Sequence, residues 1–477
     1  MLSRKGLPID PEIFVEGASA LDQWAAIKGK PYITVSAKGI ANGLSNVLND
    51  GADFGPDTTL GATSPTQTGS PYTQTSGIIE AGNYLISIGG GKMVLKTGAY
   101  EIHTGIQYLY SSSIEIEGEA KGWENTQGGL TTPPYIYPSS DFDTTNPMLS
   151  YFSPVVNSGV MKIENIMFYG NGVSGVNGIM TNTIPSGYSQ IPQIILRDVK
   201  FSHLATGFFI QGSGGPNIID DVQASDCNTV IVDNASTHIT SLELFNCGSS
   251  STPTFENSGG VCNADNIYIA GSLGNYDILN NAELNINTLY IQPDSEDGFI
   301  QHTSGYTNIG TVMLYNITNM PILSLTTASS YVSISHILIS LSADYTQFFN
   351  YNGSLNYSGS SVLIKGIHVI PNGYTFAIGT LPPDLIPEME IYPRLTPATP
   401  SFPTSATAQQ NINPYSVNVY IYGGTVTEIQ ITKNGTAYTV FSNATGLALS
   451  GQVYKLNPSD SITVTYTTAP TWEWLSS

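Results

Sequence analysis

The chain has 477 residues, of which 40% are apolar and only 11% charged, and 36 Asp and Glu against 15 Lys and Arg leave a net charge of −21. Ordinary soluble proteins carry ~25% charged residues, and a surface this poor in cations excludes phosphate binding, so no nucleic-acid partner is expected. The length exceeds one ordinary compact domain and asks for several domains or a long repeat.

The N-terminal stretch MLSRKGLPIDPEIF has basic residues but no apolar segment after them, so it does not read as a secretory signal. No apolar run reaches the ~18 residues of a membrane helix, and three cysteines do not make a disulfide framework. Residues 1–48 read as an anchoring or connecting segment. SGIIEAGNYLI (Ser76–Ile86) is the helix candidate. GGGKMVLKTGAYEIHTGIQY (Gly89–Tyr108) is a Gly-rich turn, a strand, a tight turn and another strand, and SSIEIEGEAKG (Ser112–Gly122) continues the series. Residues 117–159 read as a long inserted loop.

Between Met161 and Val369 a short pattern recurs: apolar, two polar or small, apolar, any, apolar. Its copies include IENIMF (Ile163–Phe168), LRDVKF (Leu196–Phe201), IDDVQA (Ile219–Ala224), ITSLEL (Ile239–Leu244) and INTLYI (Ile286–Ile291). Copies fall mostly about 20–25 residues apart, a solenoid period. Alternating apolar residues make a half-buried strand, and the two-residue interruption is a bend that keeps both sides pointing inward. One such unit cannot bury its apolar face alone, so copies must stack. The predicted fold is all-β, a parallel β-helix over residues 49–372. A Pro-rich linker over 373–410 follows, and then a small β-sandwich over 411–477 with Gly-Gly and Asn-Gly turns between alternating strands.

Paired carboxylates at Asp220 and Asp221 raise the question of glycosidase chemistry. The aligned copies place Asp221 at the second bend position, with Asn165, Asp198, Ser241, Asn266, Thr288, Thr311, His336 and Gly366. Most of these types tolerate left-handed backbone angles or bond to stacked neighbours. Asp221 therefore reads as a turn residue and Asp220 as an exposed one, and the pair remains the only catalytic candidate. The acidic loops PDSEDG (Pro293–Gly298) and SSDFDTT (Ser139–Thr145) lack calcium-loop spacing, and the histidines form no metal constellation, so neither metal nor cofactor is expected. No Lys or Arg of the repeats reads as standing beside an acidic cluster.

The outward position between the last two apolar residues holds Lys200, Gln223 and Glu243 in early copies, then Tyr268, Tyr290, Met313 and Leu338. An apolar row of this kind marks a subunit interface or a glycan-binding strip. Cys227 and Cys247 occupy equivalent positions in adjacent copies and should stack as free, inward-facing thiols.

NDGADFGPDTT (Asn49–Thr59), a spacer and GGGKMVLKTGAYEI resemble the entry motif of pectate-lyase-like phage tailspikes, with Thr97 where that family usually has Pro. The resemblance covers residues 46–120 and is architectural through residue 370. It implies a right-handed β-helix and a virion spike or fibre at the virion surface. Such a spike would be a homotrimer, joined to virion proteins through the N-terminal segment, and would bind a host cell-surface glycan or protein. The alternative is a polysaccharide hydrolase or lyase on the same scaffold. Against it, the lyase WIDH-like segment and the Gly-His-Gly of polygalacturonase-type hydrolases are both missing.

Overall fold

Alternation along each copy of the pattern lays its apolar residues onto their equivalents in the neighbouring coils. The computed structural model describes residues 32–37, 52–56, 73–109, 113–120, 133–152, 159–180, 193–211, 216–233, 236–274, 276–292, 299–317, 321–325, 331–344, 349–351, 361–370, 390–392, 399–413, 416–433 and 435–476. Packing divides the chain into two units, Met1–Asn275 and Tyr276–Ser477. Each contains coils of a parallel β-helix, and the second also carries a C-terminal antiparallel sheet.

In the first unit one buried column runs through Ile33, Met93, Ile116, Ile163, Leu196, Ile219, Ile239 and Ala264, each paired in parallel with the next. A second column beyond the bend runs through Phe168, Phe201, Ala224, Leu244 and Ile269. The Phe168 and Phe201 rings stack at 5.5 Å. Burying each large apolar side chain contributes ~1.5–3 kcal/mol. The return limb of each coil is a separate strand that the recurring pattern does not announce. These limbs, among them Ile106–Leu109, Leu149–Phe152, Asn177–Met180, Thr206–Gln211 and Thr229–Asp233, pair in parallel into their own sheet. Cys227 and Cys247 are buried and free, as expected. Their contact, together with burial, pushes the Cys227 thiol well up.

The second unit repeats the scheme with longer, unbroken strands, Glu283–Gln292, Tyr306–Ile317, Tyr331–Leu341 and Ser361–Ile370. Ile286, Ile309, Ile334 and Ile364 form one buried column, and Leu289, Val312, Ile337 and Ile367 another.

Three expected boundaries shift. Ile33–Val35, inside the expected connecting segment, is a buried strand paired with Met93–Leu95, because its alternation matches the first coil. Residues 117–159 are not simply an inserted loop. Tyr135–Pro138 pairs with Ala99–Ile102, and Leu149–Phe152 pairs with Ile106–Leu109, so they build a coil. The expected linker 373–410 is not free of strands either. Glu390–Tyr392 pairs in parallel with Gly366–His368, and Ala408–Gln410 pairs with Ser461–Thr463. Thr399 to Pro403 already pack against the C-terminal sheet. Trp472 Nε1 donates to Pro400 O at 2.8 Å, and the Phe402 and Trp472 rings lie 4.4 Å apart.

That sheet centres on one long strand, Val417–Lys433, flanked by Thr436–Leu456 on one side. On the other side lie Ser461–Thr468 and Thr471–Ser476, each against one half of it. The Gly423-Gly424 pair is a bend within the strand and not the expected hairpin turn. Both residues have positive φ, and a Cβ on Gly424 would meet Pro470 N at 2.6 Å. Val419 and Ile421 before the bend and Ile429 and Ile431 after it are buried, as are Trp472 and Trp474. The Asn-Gly hairpin forms as expected at Gly435, where Lys433 pairs with Thr436, while Asn434 lies outside the described residues.

The expected helix is present at Ile78–Ser87 and buries Ile78, Ala81, Tyr84 and Leu85. Gly82 allows close approach, since a Cβ there would sit 2.1 Å from the Tyr108 ring. Tyr108 Oη donates to Ile78 O at 2.8 Å. Glu80 is fully buried and accepts from Thr75 Oγ1 at 3.3 Å, and burial pushes its carboxyl up to about 7. A raised carboxyl holds its proton in the folded state after the unfolded chain has lost it, so stability falls as pH rises from the ordinary Glu value towards about 7. Glu80→Gln should therefore leave stability unchanged near pH ~4 and raise it by up to ~3 kcal/mol at pH ~8. Chemical unfolding of parent and variant at the two pH values checks this.

Candidate functional site

Asp221 is a turn residue, as its position in the copies indicates. Its φ is 50°, and Asn165 and Asp198 at the same position have φ of 56° and 51°. The bends interlock through backbone bonds from Asn165 N to Arg197 O at 3.1 Å and from Asp198 N to Asp220 O at 3.0 Å. The left-handed bend does not persist along the series. Ser241, Asn266, Thr288, Thr311, His336 and Gly366 have no positive φ, because strands from Ser236–Phe245 onward run straight through that position.

Asp220 is not merely exposed. Its Oδ2 accepts from Arg197 Nε at 3.0 Å, and Arg197 NH1 reaches Glu164 Oε1 at 3.1 Å. Lys162 Nζ lies 2.9 Å from Glu164 and 3.0 Å from Glu115. Lys92 joins Glu115 at 3.3 Å and also pairs with Glu117. The expectation that no Lys or Arg stands beside an acidic cluster is therefore wrong. Parallel register places Lys92 beside Glu115 and Glu115 beside Lys162, with Glu117, Glu164, Arg197 and Asp220 in the next outward row.

Carboxylate oxygens of Glu115, Glu117 and Glu164 come within 4.8 Å of one another, a spacing that could hold a cation. Lys92 and Lys162 already neutralise them there. Burial would raise the Glu115 carboxyl, but its contacts with Lys162 and Lys92 outweigh that and hold it below its ordinary value. A general acid needs the opposite shift. The arrangement favours ionised, cross-strand ion pairs.

The loop at Ser139–Thr145 binds its own carboxylates. Asp141 accepts from Ser139 Oγ at 2.5 Å and lies 2.8 Å from His103 Nδ1, and Asp143 accepts from Thr145 N and Oγ1 at 3.0 and 2.7 Å. The carboxylate lies between the serine and the histidine, so no activated nucleophile forms. Pro293–Gly298 lies outside the described residues.

The outward row of the first unit runs Lys200, Gln223, Glu243, Tyr268, and Tyr268 packs on Phe245 at 5.5 Å. In the second unit Tyr290, Met313, Leu338 and His368 stand in register. The first three are half-buried against their neighbours, and His368 is exposed. A second outward row, nearer the start of the same strands, escaped the repeat reading: Glu283, Tyr306 and Tyr331. Tyr306 and Tyr331 are 56% and 37% exposed, with ring centroids 5.6 Å apart. Beside them Asn308 Nδ2 donates to Asn285 Oδ1 at 2.8 Å, and Asn285 Nδ2 to Glu283 Oε1 at 3.1 Å. The available signal was that Tyr306 and Tyr331 both stand three residues ahead of an aligned Ile.

No family model and no curated protein matches the chain. Among solved structures, it is similar to a full-length tailspike protein 2 of Escherichia coli O157:H7 bacteriophage CAB120. The identity is 12% and the TM-score 0.36, with 84% of this chain and 66% of that one covered. It is also similar to a tailspike protein of Acinetobacter baumannii bacteriophage Fri1, described as a capsular polysaccharide depolymerase. There the identity is 14% and the TM-score 0.29, with 84% of each chain covered. Among the described residues no helix is long and apolar enough to cross a membrane.

The ion-pair ladder predicts a pH signature. A carboxyl held below its ordinary value contributes stability at neutral pH and loses it as pH falls through the lowered value. Glu115→Gln should unfold more readily than the parent at pH ~7, by ~1 kcal/mol or less for pairs this exposed. That gap should close well below the ordinary Glu value of ~4.3. Denaturant midpoints of both proteins across the pH series test it.

Proposed function

We propose that the chain is a spike- or fibre-type virion protein that holds a host cell-surface glycan against the outward face of its second unit. The observation that carries this reading is the exposed Tyr306–Tyr331 pair beside the Asn285–Asn308 amide ladder. A sugar offers an apolar face of C–H groups and a rim of hydroxyls. Aromatic rings match the first, and amides that both donate and accept match the second. Regular strands hold these groups, which lowers the ordering cost of binding. The tailspike-like entry motif supports the same reading. On this reading the protein stands at the virion surface as a homotrimer, joined to other virion proteins through its N-terminal segment. Tyr290, Met313 and Leu338, and Tyr268 in the first unit, are then subunit contacts or extensions of the glycan face.

A depolymerase on the same scaffold is the second reading; the close carboxylates of Glu115, Glu117 and Glu164 are its nearest acidic cluster, but Lys92 and Lys162 already pair with them. Incubation with bacterial capsular and lipopolysaccharide glycans, followed by assay for new reducing ends and unsaturated sugars, separates binding from cleavage. On the binding reading no product forms. Tyr306→Ala with Tyr331→Ala should then weaken binding to the recognised glycan about tenfold or more without changing the unfolding midpoint. Unchanged affinity would remove this face from the proposal. Tyr290→Lys with Met313→Lys should reduce the assembly to monomers by light scattering, and an unchanged mass would remove the row from the subunit interface.

A further inference from the structure

The strands that carry Tyr306 and Tyr331 are short of cations. Between residues 276 and 372 the sequence has six acidic residues, Asp277, Glu283, Asp294, Glu296, Asp297 and Asp344, against one Lys or Arg, Lys365. Lys365 stands four residues further along its strand than the register position of Tyr331, ~13 Å at ordinary strand rise. That exceeds the ~8 Å over which exposed charges act at physiological salt. The charge within the tyrosine row itself is negative. Glu283 is exposed and in register with Tyr306, one coil away at ~4.8 Å between strands. Glu283 also sets the direction of the amide ladder. A carboxylate only accepts, so Asn285 turns its Nδ2 to Glu283 Oε1, at 3.1 Å. That leaves Asn285 Oδ1 for Asn308, whose Nδ2 donates to it at 2.8 Å. The donors of both amides are thus turned towards Glu283, and a second carboxylate arriving here would find them already facing one.

We infer that the glycan held on this face is built of uncharged sugars, and that Glu283 is the residue that excludes acidic ones. The inference deepens the proposed glycan face by naming its ligand class, and it rests on that reading. A neutral pyranose needs flat rings for its C–H faces and both donors and acceptors for its hydroxyls. Two tyrosines, two amides and a carboxylate supply these without any ion pair. Hydroxyls donate readily to a carboxylate, so Glu283 is an asset to a neutral sugar. A uronic, sialic or phosphorylated residue stacked on Tyr306 would instead bring an anion within the screening length of Glu283. No Lys or Arg stands in the row to offset it. Unpaired like charges of this kind are how a binding face rejects a wrong ligand.

The test uses the full chain at pH ~8, above the range in which histidines ordinarily carry charge. Bacterial O-polysaccharides and capsules of two kinds are offered to the immobilised protein, some made only of neutral sugars and some bearing uronate or phosphate. The tightest neutral binder is then oxidised at its primary hydroxyls with a nitroxyl oxidant, which puts carboxylates on the same backbone. The oxidised polymer should bind about tenfold more weakly than its parent at ~0.15 M salt, and the deficit should shrink to about threefold at ~1 M, where charges are screened within ~3 Å. Glu283→Gln should narrow the deficit without added salt, and Glu283→Asp, which keeps the charge, should preserve it. Acidic polysaccharides that bind as tightly as neutral ones, or an oxidised polymer bound undiminished, would overturn the inference and leave the glycan face standing. A deficit that neither salt nor Glu283→Gln relieves would also overturn it, since the lost hydroxyl and not the charge would then be responsible. Binding that survives Tyr306→Ala with Tyr331→Ala, or no binding of either kind of polysaccharide, would remove the glycan face itself.

Discussion

Parallel, in-register stacking is the constraint on which the rest of the β-helix depends. Each side chain has as its nearest neighbours the residues at the same position one coil before and one coil after, at ~4.8 Å. A position in the repeat is therefore a column of contacts. Columns of Ile, Leu and Phe give the core in each unit. A column of left-handed Asn and Asp residues gives the bends at Asn165, Asp198 and Asp221. The core gains from this repetition because like apolar residues pack well on one another. Charged residues do not, since like charges in register are destabilising.

That asymmetry accounts for the charge distribution. Where the outward columns do carry charge, signs mostly alternate between coils: Glu164, Arg197, Asp220 in one row, and Lys92, Glu115, Lys162 across adjacent coils in another, while Glu117, in register with Glu164, is met by Lys92. Elsewhere the stacked outward positions use amides, which can both donate and accept, as in Asn285 and Asn308, or in Gln223, which donates to Glu243. An amide column can repeat the same residue without electrostatic cost. The low charged fraction thus follows from the architecture, and it leaves a surface of hydroxyls, amides and tyrosines.

The same constraint decides what was legible in the sequence. The main strands, their inward columns, the stacked Cys227 and Cys247 and the turn role of Asp221 could be read because the apolar pattern recurs with its two-residue bend. The return limbs could not, since strands such as Phe255–Asn257 or Ile278–Asn280 are three residues long and too short to show alternation. Straightening of the bend from Ser241 onward was equally hidden, because Ser, Thr and His are compatible with either backbone. The ion-pair ladder was visible in principle. Glu164, Arg197 and Asp220 occupy one repeat position, and reading along the column instead of along the chain pairs their charges. Tyr306 and Tyr331 lay outside the recurring hexad, so a comparison confined to it passed them over.

Two buried ionisable groups show how the interior treats charge. His302 is fully buried, with Nδ1 2.8 Å from Thr307 Oγ1, and Asn280 Nδ2 reaches the same hydroxyl at 2.7 Å. Burial lowers the His302 imidazole to about 4, as it raises Glu80 to about 7. Both are therefore neutral in the fold across a shared interval. Between about 4.5 and 6.5 the unfolded chain would release the Glu80 proton and bind one at His302. The two linkages have opposite sign. Stability falls with rising pH on account of Glu80 and rises on account of His302, each by ~1.4 kcal/mol per pH unit. Their slopes cancel over that interval, so mild acid costs the fold little through these groups. Above it only the Glu80 cost still grows, and below it only the His302 cost. Through Glu80 and His302 together, stability is thereby buffered across mildly acidic conditions.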